Sequence, residues 1–183
     1  MSYVSFNGMD ADVLINKEAI LENLGRYEEA LRSCDSAILL DPGYADAWTN
    51  KGITLYLLGR NEEALQAGNK AIELDPENAM AWNNNGNAFN CLGRYDEALE
   101  AFDKAIQINP EYSDPWTNKG NALNCLERYE EALETFDKAL QLDPEYTDAW
   151  TSKGNALNCL GRYDEALEAF DKAMQLDPEY TDA

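Results

Sequence analysis

The sequence predicts an all-α solenoid of helical hairpins, and three observations carry that reading. Pro42, Pro76, Pro110, Pro144 and Pro178 are spaced by 34 residues, and of the six prolines only Pro115 stands outside the series. Trp48, Trp82, Trp116 and Trp150 keep the same spacing. Between these marks the apolar residues recur at helical intervals. A fixed period of this length indicates a repeat architecture in which each unit is one supersecondary element.

Aligned on Pro and Trp, the chain divides into five units, 11–44, 45–78, 79–112, 113–146 and 147–180. Together they form one predicted domain, 11–180. The last two units differ at only 7 of 34 positions, so the period is not a chance pattern. The first is the most divergent, with Leu14 in place of Trp and Glu18 in place of Gly. Residues 1–10 fall outside every unit and form an N-terminal arm carrying Tyr3, Val4 and Phe6. Residues 181–183 repeat the opening of a further, truncated unit.

Each unit reads as two helices. In the third, Trp82, Ala88, Phe89 and Leu92 suit a first helix, and Leu99, Phe102, Ala105, Ile106 and Ile108 suit a second. Gly93 stands at the left-handed stop of the first helix. Asp96 and Glu97 open the second, where carboxylates meet the positive dipole end, and Lys104 lies late in it. Asn109-Pro110 ends it, because proline disfavours helix in the residue before it. Pro115 falls in the first turn of its helix, where no N–H is needed. A lone hairpin cannot bury its apolar face, so stacked neighbours must share a continuous core. The repeated Trp, Ala, Phe and Leu are therefore core residues, and Tyr27, Tyr95, Tyr129 and Tyr163 are expected to pack as well.

Composition narrows the function. The chain has 183 residues, no histidine, 35 acidic and 14 basic residues, and a net charge of −21. The missing histidine excludes Ser-His-Asp and Cys-His machinery and His-ligated metals. The charge opposes nucleic acid and anionic membrane surfaces. It is spread over the units, between −3 and −5 in each. At 45% hydrophobic residues the chain is too apolar to be a solvated acidic coil. No apolar run is long enough for a membrane span, and the start lacks the basic and apolar regions of a signal peptide. A cytoplasmic protein with free thiols is the expectation.

Trp82, Gly86, Ala98, Phe102 and Pro110, with their equivalents at 34-residue steps, resemble the tetratricopeptide repeat. The likeness covers 11–180. It departs from the family pattern at Lys51, Asn85, Lys119 and Lys153, where the consensus has Leu. It departs again at Leu55, Phe89, Leu123 and Leu157, where the consensus has Tyr. Gly68 and Cys34 replace the Phe seen at Phe102, Phe136 and Phe170. The resemblance implies a right-handed superhelix whose concave groove is lined by the first helices and binds protein partners.

Residues not needed for the core then become candidates. The sixth residues of the units are Asn16, Asn50, Asn84, Asn118 and Ser152. Three residues later come Asn87, Asn121 and Asn155, and three further on Asn90, Asn124 and Asn158. Steps of three fall on one helix stripe, and propensity gives no reason for asparagine there. In the resembled family such a row holds an extended peptide. An amide carries both a donor and an acceptor, so it can pair with one peptide unit of the ligand. The competing reading is that these residues only keep a polar face or bond neighbouring helices. The family's other mode, a clamp for C-terminal carboxylates, needs basic residues, whereas the corresponding places carry Thr49, Asn83, Thr117 and Thr151. Acidic Asp12, Asp46, Asp114 and Asp148 at the second position, with Met80 in the third unit, favour a neutral or basic peptide.

Cys91, Cys125 and Cys159 repeat in register, with Cys34 apart from them. Packed helices stand about 8–10 Å apart, too far for a disulfide. They are expected as small, partly buried thiols, with no metal and no cofactor. The final helix, 164–176, is expected to expose an apolar edge, as in a fragment of a longer array or a module that stacks end to end. The sequence thus points to a non-catalytic scaffold that grips a peptide, with self-assembly as the alternative.

Overall fold

The computed structural model describes residues 6–177 and is all-α over them. Ten helices follow one another: α1 (Phe6–Asn23), α2 (Tyr27–Leu40), α3 (Ala45–Leu57), α4 (Asn61–Leu74), α5 (Ala79–Cys91), α6 (Tyr95–Ile108), α7 (Ser113–Cys125), α8 (Tyr129–Leu142), α9 (Thr147–Cys159) and α10 (Tyr163–Leu176). The arm expected over 1–10 is already helical from Phe6, as the first turns of α1. Residues 1–5, Pro178 and the further unit expected at 181–183 lie outside the described residues.

The helices group into two compact units, α1–α5 in residues 1–93 and α6–α10 in residues 94–183. In the first, α1 packs with α2 and α3 with α4, and α5 lies on α3 and α4. In the second, α7 packs with α8 and α9 with α10, while α6 packs on α7, and the first helices α7 and α9 touch.

The punctuation read from the sequence has a defined geometry. Gly25, Gly59, Gly93 and Gly161 adopt φ of 68–73° at the end of the first helices. The amide that follows bonds back five residues, as in Arg26 N–H to Leu21 C=O at 2.8 Å and Arg162 N–H to Leu157 C=O at 2.9 Å. This is the left-handed stop that satisfies orphan helix carbonyls. In α7 the same place is held by Glu127 at φ 59°. The second helices then open on an Arg whose side chain pairs with the Glu three residues on, as Arg128 does with Glu131 at 2.7 Å. They close on Asp41, Asp75, Asn109 and Asp143, whose side chains accept the N–H two residues later. That short bond makes the turn in which each proline sits. Lys104 stops short of the last turn of α6, which holds no basic residue, and its amine lies 3.5 Å from Gln107.

The two markers of the period meet each other. Indole Nε1–H of Trp48, Trp82, Trp116 and Trp150 donates to the carbonyl of Pro42, Pro76, Pro110 and Pro144, at 2.9–3.2 Å. Each Trp thus locks the turn before its own helix. The core is alanine-rich at the helix crossings, with Ala37, Ala47, Ala88, Ala122, Ala139 and Ala156 fully buried. Phe136 fills the space over Gly120, where a Cβ would come within 2.7 Å of Phe136 Cζ. Phe170 does the same over Gly154. A second register runs between hairpins. Lys51 pairs with Asp35, Lys119 with Asp103 and Lys153 with Asp137, at 2.6–2.7 Å. The Lys that replace the consensus Leu therefore clamp each first helix to the second helix before it. Tyr27, Tyr95 and Tyr129 are half-buried, but Tyr163 is 64% exposed, so it does not pack as expected.

Candidate functional site

The candidate rows lie on the first helices of the hairpins. On α1, Asn16 is exposed. Asn50 on α3 and Asn84, Asn87 and Asn90 on α5 are half-buried, and these belong to the first compact unit. In the second unit Asn118, Asn121 and Asn124 on α7 and Ser152 on α9 are half-buried, whereas Asn155 and Asn158 are exposed.

Their amides fall into two groups. Some are used inside the fold. Asn50 Nδ2–H donates to Glu18 Oε2 at 2.9 Å. Asn124 Nδ2–H reaches the Ser152 carbonyl at 3.5 Å, bridging α7 to α9, and Asn118 is also engaged within the chain. At Asn50 and Asn124 the interhelical reading of the row holds. Asn87, Asn121 and Asn155 hold no hydrogen bond among the described residues, so the ninth-position row keeps its amides unpaired. Asn84 Nδ2 and Asn90 Oδ1 are buried without a partner among those residues.

The strongest electrostatic feature is one the sequence marked only as a departure. Glu18 stands where the other units have Gly, and it is 1% exposed. Its carboxylate accepts from Asn50 and, at 3.2 Å, from Thr54 Oγ1, while Glu22 takes a 2.8 Å contact from the same hydroxyl. Burial, then the neighbouring Glu22 charge and its hydrogen bond, push Glu18 up to about 7, against the smaller opposing effect of Asn50 and Thr54. Cys34, fully buried in the same cluster, is pushed up by burial and then by the Glu18 charge. The cluster ties α1, α2 and α3 together and faces inward.

Other expectations need correction. Thr49, Asn83 and Thr117 are buried, at 2%, 3% and 1% exposure, so the position compared with a carboxylate clamp does not face solvent in these helices. Thr49 Oγ1–H bonds back to the Ala45 carbonyl at 3.1 Å. Part of the acidic edge is tied to the fold as well: Tyr44 bonds Asp12, which raises its phenol, and Tyr146 is raised first by burial and then by the charge and hydrogen bond of Asp114. Cys91, Cys125 and Cys159 are exposed, not partly buried; only Cys34 is enclosed. They stand at the solvent-facing ends of the first helices, where the phenols of Tyr56, Tyr95 and Tyr129 hydrogen-bond them.

Two recesses in the second unit repeat one period apart. The larger, about 460 Å³, is lined by Lys153, Leu157, Glu165, Glu168 and Ala169. The smaller, about 300 Å³, has Lys119, Leu123, Glu131, Glu134 and Thr135 in the same places. None of the candidate asparagines lines either. Among the described residues no group of His, Cys, Asp and Glu is placed to hold a metal, and no helix is long and apolar enough to cross a membrane.

The family profile described as the tetratricopeptide repeat matches residues 79–112, 113–146 and 147–180, and a second profile of that description matches 20–79. The chain is a tetratricopeptide-repeat protein. Such repeats are scaffolds typical of protein–protein interaction and are generally non-catalytic. No curated protein sequence matches the chain at a significant level. Solved tetratricopeptide-repeat structures share its fold. PilF of Pseudomonas aeruginosa is 24% identical with a TM-score of 0.84, over 93% of this chain and 78% of that one. TTC0263 of Thermus thermophilus is 23% identical with a TM-score of 0.82, over 92% of both chains. YrrB, described as having an unusual peptide-binding site, is 27% identical with a TM-score of 0.68, over 94% of this chain and 89% of that one. These neighbours place the chain in the α-solenoid class that the 34-residue period predicts.

Proposed function

We propose that this tetratricopeptide-repeat chain is a non-catalytic scaffold that binds an extended, neutral or basic peptide segment of a partner protein along the first helices within each compact unit. The observation that carries the reading is the ninth-position row. Asn87, Asn121 and Asn155 are asparagines at helical positions that do not favour them, and they hold no hydrogen bond among the described residues. Each can offer a donor and an acceptor to one peptide unit. The net charge of −21 adds a long-range preference for non-acidic ligands. The peptide-binding site described for YrrB, 27% identical, supports the same class of ligand.

The sixth and twelfth rows have a smaller part in this reading. Asn50, Asn118 and Asn124 already hold partners, so Asn84, Asn87 and Asn90 on α5 form the densest set in the first unit. In the second unit the set is Asn121 on α7 with Asn155 and Asn158 on α9.

The test is titration of fluorescein-labelled decapeptide libraries, neutral, basic and acidic, against the wild type and the triple variant Asn87→Ala, Asn121→Ala, Asn155→Ala. Each amide contact nets about 0.5–1.5 kcal/mol, so the triple variant is expected to lose about tenfold or more in affinity while keeping its helicity. Equal binding by both proteins, or no binding by any library, would sink the reading.

A further inference from the structure

The joint between hairpins has one recurring recipe. On the second-helix side it is a stripe of two apolar residues flanking an aspartate: Leu31, Asp35 and Ile38 on α2, and Leu133, Asp137 and Leu140 on α8. Leu133 is 7% and Leu140 8% exposed once α9 covers them. On the first-helix side it is a stripe around a lysine: Ala47, Lys51 and Thr54 on α3, and Ala149, Lys153 and Ala156 on α9. These small residues are fully buried, and the lysine closes on the aspartate at 2.6–2.7 Å.

Both halves of this joint recur, uncovered, on two separate helices of the chain. On α10 the second-helix stripe is Leu167, Asp171 and Met174. Leu167 is 61% and Met174 43% exposed, and Asp171 has no ion pair among the described residues. On α1 the first-helix stripe is Val13, Lys17 and Ile20, continued by Leu24. Val13, Ile20 and Leu24 are 60–62% exposed, and Lys17 likewise has no ion pair there. Two open apolar stripes, one centred on a cation and the other on an anion with no ion pair among the described residues, are complementary in shape class and in charge.

We infer that α10 of one molecule docks on α1 of a second copy, with Lys17 of one chain paired to Asp171 of the other in the register of Lys153 and Asp137. The contact is head-to-tail, so it is not complete at a dimer: each added copy presents a fresh face, and the assembly grows into an open chain or a ring of several copies. It is weaker than the internal joints for two reasons. Val13 and Ile20 are bulkier than the Ala and Thr that sit in the internal seams, which holds the helices apart. Each molecule also carries −21 charges, so association needs salt to screen the repulsion. Met174 in place of Leu140 is the adaptable side chain that such an imperfect seam needs.

Sedimentation velocity of the wild type from micromolar to millimolar concentration, at physiological ionic strength, reads the association. The average mass is expected to rise with concentration without stopping at a dimer. Lys17→Asp and Asp171→Lys each place like charges at the joint and are expected to weaken association about tenfold or more. Mixing the two variants restores it, because each head then meets an opposite tail. Circular dichroism identifies any variant that has lost helix, and mixing rescues only folded partners. A wild type that stays monomeric throughout overturns the proposal, as does a dimer indifferent to Lys17→Asp or a pair of variants that mixing does not rescue.

Discussion

Asn85 occupies the space that Gly68 leaves empty. Its amide lies so close that a Cβ on Gly68 would come within 2.9 Å of Asn85 Cγ and run into Oδ1. Asn85 is 2% exposed and donates to Asn69 Oδ1 at 2.8 Å. In register, Gly68 stands for Phe102, Phe136 and Phe170, Asn69 for Asp103 and Asp137, and Asn85 for Lys119 and Lys153. The joint between α4 and α5 thus exchanges an aromatic and an ion pair for a glycine and an amide pair, three changes that depend on one another. Gly68→Ala is expected to destabilise by about 1–3 kcal/mol through overpacking, although alanine is the better helix former. In an Asn85→Ala background the same substitution is expected to be neutral or stabilising. Urea denaturation of the four proteins of the double-mutant cycle measures the coupling.

Glu127 is the one non-glycine residue at positive φ among the described residues, at 59°. It stands where Gly25, Gly59, Gly93 and Gly161 end the other first helices. An L side chain in this region costs about 1–2 kcal/mol, partly offset by the smaller entropy of a non-glycine unfolded chain. Glu127→Gly is therefore expected to stabilise by about 1 kcal/mol, and Gly161→Ala to destabilise by a similar amount. Thermal and urea melts followed at the helix band check both signs.

Buried Glu18 gives the first compact unit a pH dependence. Its folded value is raised to about 7 from an ordinary 4.5, so between these values the folded state binds more protons than the unfolded one. Stability is then greatest near and below pH 4.5 as far as this group is concerned, and falls as pH rises through 7. The groups that face it are Glu22 on its own helix, Cys34 on α2, and Asn50 and Thr54 on α3, and none is a cation. The effect is at most about 3 kcal/mol. Urea midpoints at pH 5.5 and 8 are expected to differ in the wild type, with the lower pH more stable. Glu18→Gln, which keeps the shape without the charge, is expected to be more stable than the wild type at pH 8 and to lose most of the Glu18 share of the slope.

The period, the helix boundaries and the core were legible because proline, glycine and tryptophan act locally. Each ends, starts or locks a turn within six residues of itself, as Trp150 does with the Pro144 carbonyl. The site was only partly legible, because partners 16 to 32 residues away decide which side chains are used up. Asn50 and Asn87 look equivalent in a list of asparagines, yet Glu18 claims the first and nothing in the fold claims the second. The Lys–Asp clamps between hairpins were missed for the same reason. Glu18 itself had a usable signal: a carboxylate at a position where four other units carry a small glycine must either strain the packing or find donors.

The thiols test the corrected placement of the cysteines. Cys91, Cys125 and Cys159 end their first helices in solvent, while Cys34 takes the buried place that Phe102 and Phe136 hold elsewhere. A thiol reacts as its thiolate, and burial together with the Glu18 charge disfavours the Cys34 thiolate. Ellman's reagent is therefore expected to titrate three thiols rapidly in the native protein and the fourth only on unfolding. Because Glu18 gains charge as pH rises, the Cys34 thiolate becomes harder to form in the folded state over the range where a free cysteine becomes reactive. Raising the pH from 7 to 8.5 should then leave Cys34 closed to the reagent in the native protein. If Cys34 instead becomes reactive over that range, the route to it is opening of the first compact unit as Glu18 ionises, and Glu18→Gln should slow it again.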